Sequence, residues 1–151
     1  MVTQQMIDNF LAQKKIAVVG VSRDKHKFGT AIFNELRKAG YTAYPINPAL
    51  STIDGVQCFP TLSALPEPVD TAVFVVPPAV TDKVAKEAIS LNYKRLWMQQ
   101  GSASDTAIAE CTAKGIDVVH GHCVLMFLGE GKEFPHSLHK WFVKLFGRLP
   151  K

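Results

Sequence analysis

No hydrophobic run in this 151-residue chain reaches the roughly 18–20 residues that a membrane span needs. Its start, MVTQQMIDNFLAQKK, is polar and amphipathic, unlike a signal sequence. Cysteine is scarce. Cys58, Cys111 and Cys123 stand far apart with no CxxC pair, which argues against a disulfide framework and a structural zinc site. A reducing cytoplasm is the simplest compartment for such a chain. Internal repeats, low-complexity stretches and long linkers are missing too, so residues 1–151 are expected to form one soluble domain. With 47% hydrophobic and 20% charged residues, that domain can bury a core and is not a disordered chain.

An excess of one charge sign is nearly absent and sits in one place. The net charge is +4, yet residues 1–131 carry 12 basic and 12 acidic side chains. Residues 132–151 carry Lys132, Lys140, Lys144, Arg148 and Lys151 against Glu133 alone. A globally basic nucleic-acid binder is therefore disfavoured, whereas a basic terminal patch is not.

What the chain does have is a regular alternation of short apolar runs and helix-length segments. Strands are expected at residues 16–20, 41–46, 56–59, 71–76, 95–99 and 116–120, with a helical turn at 61–65. Helices are expected at 3–14, 28–39, 79–91 and 103–114, the third with Val80, Val84, Ala88 and Leu91 on one side. A further amphipathic helix is expected at about 134–147, with His136, Lys140 and Lys144 opposite Trp141 and Leu145. Strands separated by helices imply right-handed crossovers and a doubly wound α/β fold with a mostly parallel sheet.

Such a sheet holds ligands outside the carboxyl ends of its strands, where strand order reverses, here between the first and fourth strands. The segments just past those ends are 21–28, 47–50, 77–79 and 99–102. The first runs G-V-S-R-D-K-H-K-F-G: Gly20 permits a tight turn, Ser22 offers a hydroxyl, and Gly29 allows close approach at a helix start. Helix N-terminal amides together with Arg23, Lys25 and Lys27 suit a polyanion. A solvated loop whose glycines only make turns is the plainer alternative. The dinucleotide fingerprint G-x-G-x-x-G is missing, because Ser22 takes its second glycine and Asp24 stands near its third. Asn47-Pro48 stands where an acidic ribose ligand would follow the second strand, so NAD is disfavoured, and no P-loop motif is present.

The pieces IAVVGVS, the Gly29 helix start, GYTAYPINP, IDGVQCFPTLSALPEPVD, VVPPAV, LWMQQG and GIDVVHGHC occur in register. Together they resemble the stand-alone CoA-binding domain proteins, whose Rossmann-like fold is shared by the N-terminal domain of the succinyl-CoA synthetase alpha subunit. The resemblance covers roughly residues 10–128. It implies coenzyme A or an acyl-CoA as ligand. Ser22, Arg23, Asp24 and Lys25 would then face the phosphates, Asn47, Pro48, Pro77 and Pro78 would form rims, and Gln99, Gln100 and Gly101 would lie along the pantetheine arm. Many relatives carry a basic residue after the N-P pair, where this chain has Ala49-Leu50. In the synthetases the phosphorylated histidine lies in a following domain, so the resemblance implies binding without acyl-CoA ligation. A small NADP-linked oxidoreductase is the enzyme-class alternative.

Three further features stay open. His120, His122 and Cys123 form an H-G-H-C cluster that His136 or His139 would complete as a metal site. Cys123 is alternatively a nucleophile or a mixed-disulfide partner of CoA, while Cys58 and Cys111 read as core residues. The terminal helix either packs within the domain or contacts a protein partner or a second copy.

Overall fold

Residues 16–19 are all buried, with Ile16 and Val18 in one core cluster and Ala17 and Val19 in another. A strand of this kind needs cover on both faces. A computed structural model, which describes residues 1–24 and 26–128, shows how it is covered. The run forms β1 (Lys15–Val19). It is followed by β2 (Thr42–Ile46), β3 (Thr52–Ile53), β4 (Val56–Gln57), β5 (Thr71–Phe74), β6 (Arg95–Met98) and β7 (Asp117–His120). The helices are α1 (Gln4–Leu11), α2 (Phe28–Lys38), α3 (Pro78–Ser90), α4 (Asp105–Ala113) and α5 (Leu125–Leu128).

The five-stranded sheet has the order β2-β1-β5-β6-β7, and all its pairings are parallel. Doubly wound α/β describes the fold. Helices α1, α2 and α5 contribute to the core cluster that holds Ile16, Val18, Val73, Trp97 and Val119. Helices α3 and α4 contribute to the other cluster, with Ala17, Val19, Phe74, Leu96 and Met98. Trp97 is fully buried, meets Phe10 and Phe127 edge-on at 5.2 and 5.6 Å, and donates its indole N–H to the His122 carbonyl at 3.0 Å. Its polar atom is thus satisfied, as a buried indole requires.

Several expected bounds shift for identifiable reasons. Thr3 and Ser104 accept hydrogen bonds from Met6 and Ala107 amides, so α1 and α4 start after these caps. The strand expected at 56–59 is instead an antiparallel hairpin, β3–β4, turned at Asp54 and Gly55, both with positive φ. Beyond it, Phe59 alone pairs with β2 in a parallel bridge to Ile46. Its amide donates to the Pro45 carbonyl and its carbonyl accepts from the Asn47 amide, both at 2.9 Å. Pro45 has no N–H to offer on that outer edge, which limits the ladder there. With this rung counted, the order becomes 3-2-1-4-5-6, and the reversal lies between β1 and β5 as expected.

On α3 the buried residues are Thr81, Ala85 and Ala88, whereas Val80 and Leu91 are each 38% exposed. Of the expected Val80-Val84-Ala88-Leu91 stripe, Ala88 is core and Val84 packs against the core, while Val80 and Leu91 lie at its exposed margin. The helix expected at 134–147, and with it His136 and His139, lies outside the described residues.

Candidate functional site

Gly20 ends β1 with φ +111, and its amide donates to the Ile46 carbonyl at 3.2 Å. A Cβ there would stand 2.1 Å from the Val75 carbonyl oxygen. A Cβ at Gly29, in the first turn of α2, would stand 2.2 Å from the Gly20 carbonyl oxygen. Two glycines thus let the start of α2, the end of β1 and the end of β5 come together at the switch point.

The loop between them is held by short side chains. Thr30, buried in α2, accepts the Ser22 amide at 3.0 Å and donates to the Ser22 carbonyl at 2.7 Å. The Ser22 hydroxyl accepts the Asp24 amide at 3.1 Å, and Asp24 in turn accepts the His26 amide at 2.9 Å. A hydroxyl that accepts one bond keeps its O–H for another partner. Lys27 occupies the N-cap position of α2 and gives no side-chain cap. Arg23, Asp24 and Lys27 are exposed, and Lys25 lies outside the described residues.

Asn47, just past β2, donates to the Val21 carbonyl at 2.7 Å and accepts the Ala49 amide at 2.8 Å. Its side chain therefore fastens the second rim to the first, with Pro48 exposed beside it. Pro77 caps α3 and Pro78 opens it, where a missing amide proton costs nothing. Ser102 accepts the Val76 amide at 3.0 Å, joining the rims after β5 and β6.

After β6, a tight turn runs from Gln99 to Ser102, closed by the Ser102 amide on the Gln99 carbonyl at 2.8 Å, with Gly101 at φ +85. Gln100 is half-buried and Gly101 exposed. Gln99, in contrast, is 1% exposed. Its amide nitrogen donates to Cys123 Sγ at 2.8 Å and its oxygen accepts the Val124 amide at 3.1 Å. The Gln99 side chain thus pins the segment after β7 and is already engaged at both ends.

A cleft of about 220 Å³ lies at the carboxyl ends of β1, β2 and β5, reached by Gly20, Asn47, Pro48 and Val76 of these rims. Val19, Ile46, Val76, Val80 and Val84 supply apolar wall, with Pro48, Pro60 and Thr61 across from α3. Glu87 is the single charged residue lining it among the described residues. Gly20, Asn47 and Pro48 are the expected site residues that line this cleft. Val80, Val84, Glu87, Pro60, Thr61 and the loop-holding Thr30 escaped the sequence reading. The available signal is the Val80–Val84 pair on one side of the helix that follows the Pro77-Pro78 rim. A larger groove of about 550 Å³ lies at the opposite, amino edge of the sheet beside Gln13, Gly40, Tyr41 and Leu128.

The H-G-H-C cluster changes character. Cys123 is 1% exposed, and burial pushes its thiol up to about 11, partly offset by the Gln99 hydrogen bond. That is the opposite of an activated nucleophile. Among the described residues, no three His, Cys, Asp or Glu side chains converge as a metal site. Cys58 and Cys111 are buried core residues, as their sequence context indicates.

Comparison with known proteins agrees with this architecture. A conserved hypothetical protein of Pyrococcus furiosus superposes with a TM-score of 0.71 at 38% identity, covering 74% of this chain and 97% of that one. A dinucleotide-forming acetyl-coenzyme A synthetase of Ca. Korarchaeum cryptofilum, solved with phosphate and ADP, gives 0.64 at 27%, covering 74% and 26%. An ADP-forming acetate–CoA ligase of Archaeoglobus fulgidus is 28% identical over 123 residues, 75% of this chain and 18% of the ligase. The chain spans under a fifth of the length of the ADP-forming ligases it matches. The family profile described as CoA binding domain matches residues 14–129, and the chain belongs to that family.

Proposed function

We propose that the chain binds coenzyme A or an acyl-CoA across the switch-point cleft, as a carrier, sensor or accessory module without ligase activity of its own. The observation that carries this is the cleft itself. An apolar slot meets, at Gly20, a loop of hydroxyl and cations that leads into the start of α2, where the N-cap residue is Lys27.

The residues present fit the ligand's chemistry. At about 220 Å³ the slot is smaller than the roughly 300–1,000 Å³ pockets that enclose whole drug-sized ligands, so it takes one moiety rather than all of CoA. Its valine and proline walls suit the adenine ring. The Ser22 hydroxyl, Arg23, Lys25 and Lys27, with the α2 amides, suit the pyrophosphate and 3′-phosphate. Asp24 serves the loop's internal turn. Gln100 and Gly101 offer the rim along which a pantetheine arm leaves, with Pro77 and Pro78 beside it. Bound CoA would supply a thiol for acyl groups, and the chain's own residues would bind and orient it. Three free, buried cysteines fit a reducing compartment such as the cytoplasm.

Thermal melting with CoA, dephospho-CoA, NADH and NADPH tests the proposal. CoA should raise the midpoint most, by the mass-action stabilisation that any native-state ligand gives. A shift with NADPH and none with CoA would overturn it in favour of the oxidoreductase reading.

A further inference from the structure

Among the described residues, Glu87 is the one charged group lining a slot of otherwise apolar, hydroxyl and amide side chains. Its Oε1 accepts the Leu62 amide at 3.0 Å, and its Oε2 accepts the Ser63 hydroxyl at 3.3 Å. A carboxylate has about four acceptor positions, so these two bonds leave both oxygens with capacity. No Lys or Arg pairs with it among the described residues. Asn47, the other strongly polar lining side chain, is committed to Val21 and Ala49, and Thr61 meets Ser63 at 2.9 Å. An unpaired negative acceptor between valines repels phosphate and a carbonyl oxygen and favours an N–H donor.

We propose that Glu87 is a specificity-determining residue that reads the exocyclic amino group of a purine in this slot, so that the chain separates 6-amino from 6-oxo nucleotides. This rests on the CoA reading above and adds a selection rule to it. The same carboxylate keeps phosphates out of the slot and on the Ser22–Lys27 side. Because it also holds the 3-10 turn (Leu62–Ala64) next to Pro60 and Thr61, it sets the far wall of the slot as well as its polarity.

The test is calorimetric titration of the intact chain with CoA and with its deaminated, hypoxanthine-bearing counterpart. CoA should bind roughly tenfold more tightly, as for loss of one hydrogen bond to a charged group. Glu87→Gln puts a donor where an acceptor stood, and the preference should vanish or reverse. Ser63→Ala removes the hydroxyl on Oε2 and the partner of Thr61 but leaves the carboxylate and its bond from the Leu62 amide, so the preference should hold or grow. Equal affinity of the unaltered chain for both nucleotides overturns the inference while leaving CoA binding intact. So does a preference that survives in Glu87→Gln or collapses in Ser63→Ala. If neither nucleotide binds the unaltered chain, the CoA reading fails and this inference fails with it.

Discussion

A methyl group added to Gly29 would lie 2.2 Å from the carbonyl oxygen of Gly20. That separation is far inside contact, and the obstacle is backbone rather than a flexible side chain. The nine-residue spacing between these glycines is thus the means by which α2 starts directly against the end of β1. Gly29→Ala should cost about 1–3 kcal/mol, as overpacking does, and weaken CoA binding because the helix start must move. Gly55→Ala, where nothing lies within 4 Å of the added methyl, strains only a positive φ and should leave CoA affinity unchanged. Urea midpoints and titration of both variants check this. Equal ligand affinity in Gly29→Ala would show that the helix start does not touch the ligand.

Thr30→Val keeps the shape of a buried side chain and removes its hydroxyl. Ser22 then loses partners for both its amide and its carbonyl. The expected loss is about 1–3 kcal/mol in urea denaturation, with weaker phosphate recognition from a loosened loop. Thr30→Ser retains the hydroxyl and should recover most of the recognition. If valine and serine behave alike, the hydroxyl is not what holds the loop.

Gln99→Leu should destabilise the chain by about 1–3 kcal/mol, because it leaves the buried Val124 amide without its acceptor. Cys123 loses its partner in the same variant. In the unaltered chain its thiol, raised to about 11 from 9.0 by burial, should resist iodoacetamide at pH 8 and react fast only in denaturant. The linkage has a definite sign. The unfolded thiol loses its proton near pH 9 and the folded one near 11, so stability is full below pH 9 and falls as pH rises through 11. Cys111, also raised to about 11 by burial, adds to the same alkaline loss. Rapid alkylation of native Cys123 would contradict its buried, neutral state.

Replacing Arg23, Lys25 and Lys27 by Ala should abolish any advantage of CoA over dephospho-CoA, a loss of roughly tenfold for one charge-assisted contact. The remaining affinity should depend less on salt. An unchanged ratio means the 3′-phosphate lies elsewhere. Removing residues 132–151 takes away the whole net positive charge and should leave this ratio intact if the loop cations alone read the 3′-phosphate.

The fold was largely legible because β1 and β5 announce double-sided burial through uninterrupted apolar runs. Gly20 and Gly29 likewise marked the switch point, since few other residues tolerate such contacts. What sequence reading missed depends on tertiary context. Val80 and Val84 have core-like spacing, but α3 turns its small residues, Ala85 and Ala88, to the sheet, leaving the valines at the cleft. Tight helix-to-sheet packing favours the smaller side chains, and hydropathy alone points the other way. Glu87 and Thr30 look like ordinary helix residues until loops from elsewhere in the chain fold against them. Gln99 closes the strand expected at 95–99 and is expected along the pantetheine arm, yet the segment after β7 covers it.

The most direct test of the switch-point site is to follow backbone amide resonances while CoA is added to the isotopically labelled chain. The amides of Gly20, Thr61, Val80 and Val84 should shift together and saturate with one dissociation constant. If those amides stay still while Gln13, Gly40 and Tyr41 at the opposite edge of the sheet respond, the ligand occupies the amino-edge groove and not the switch-point cleft.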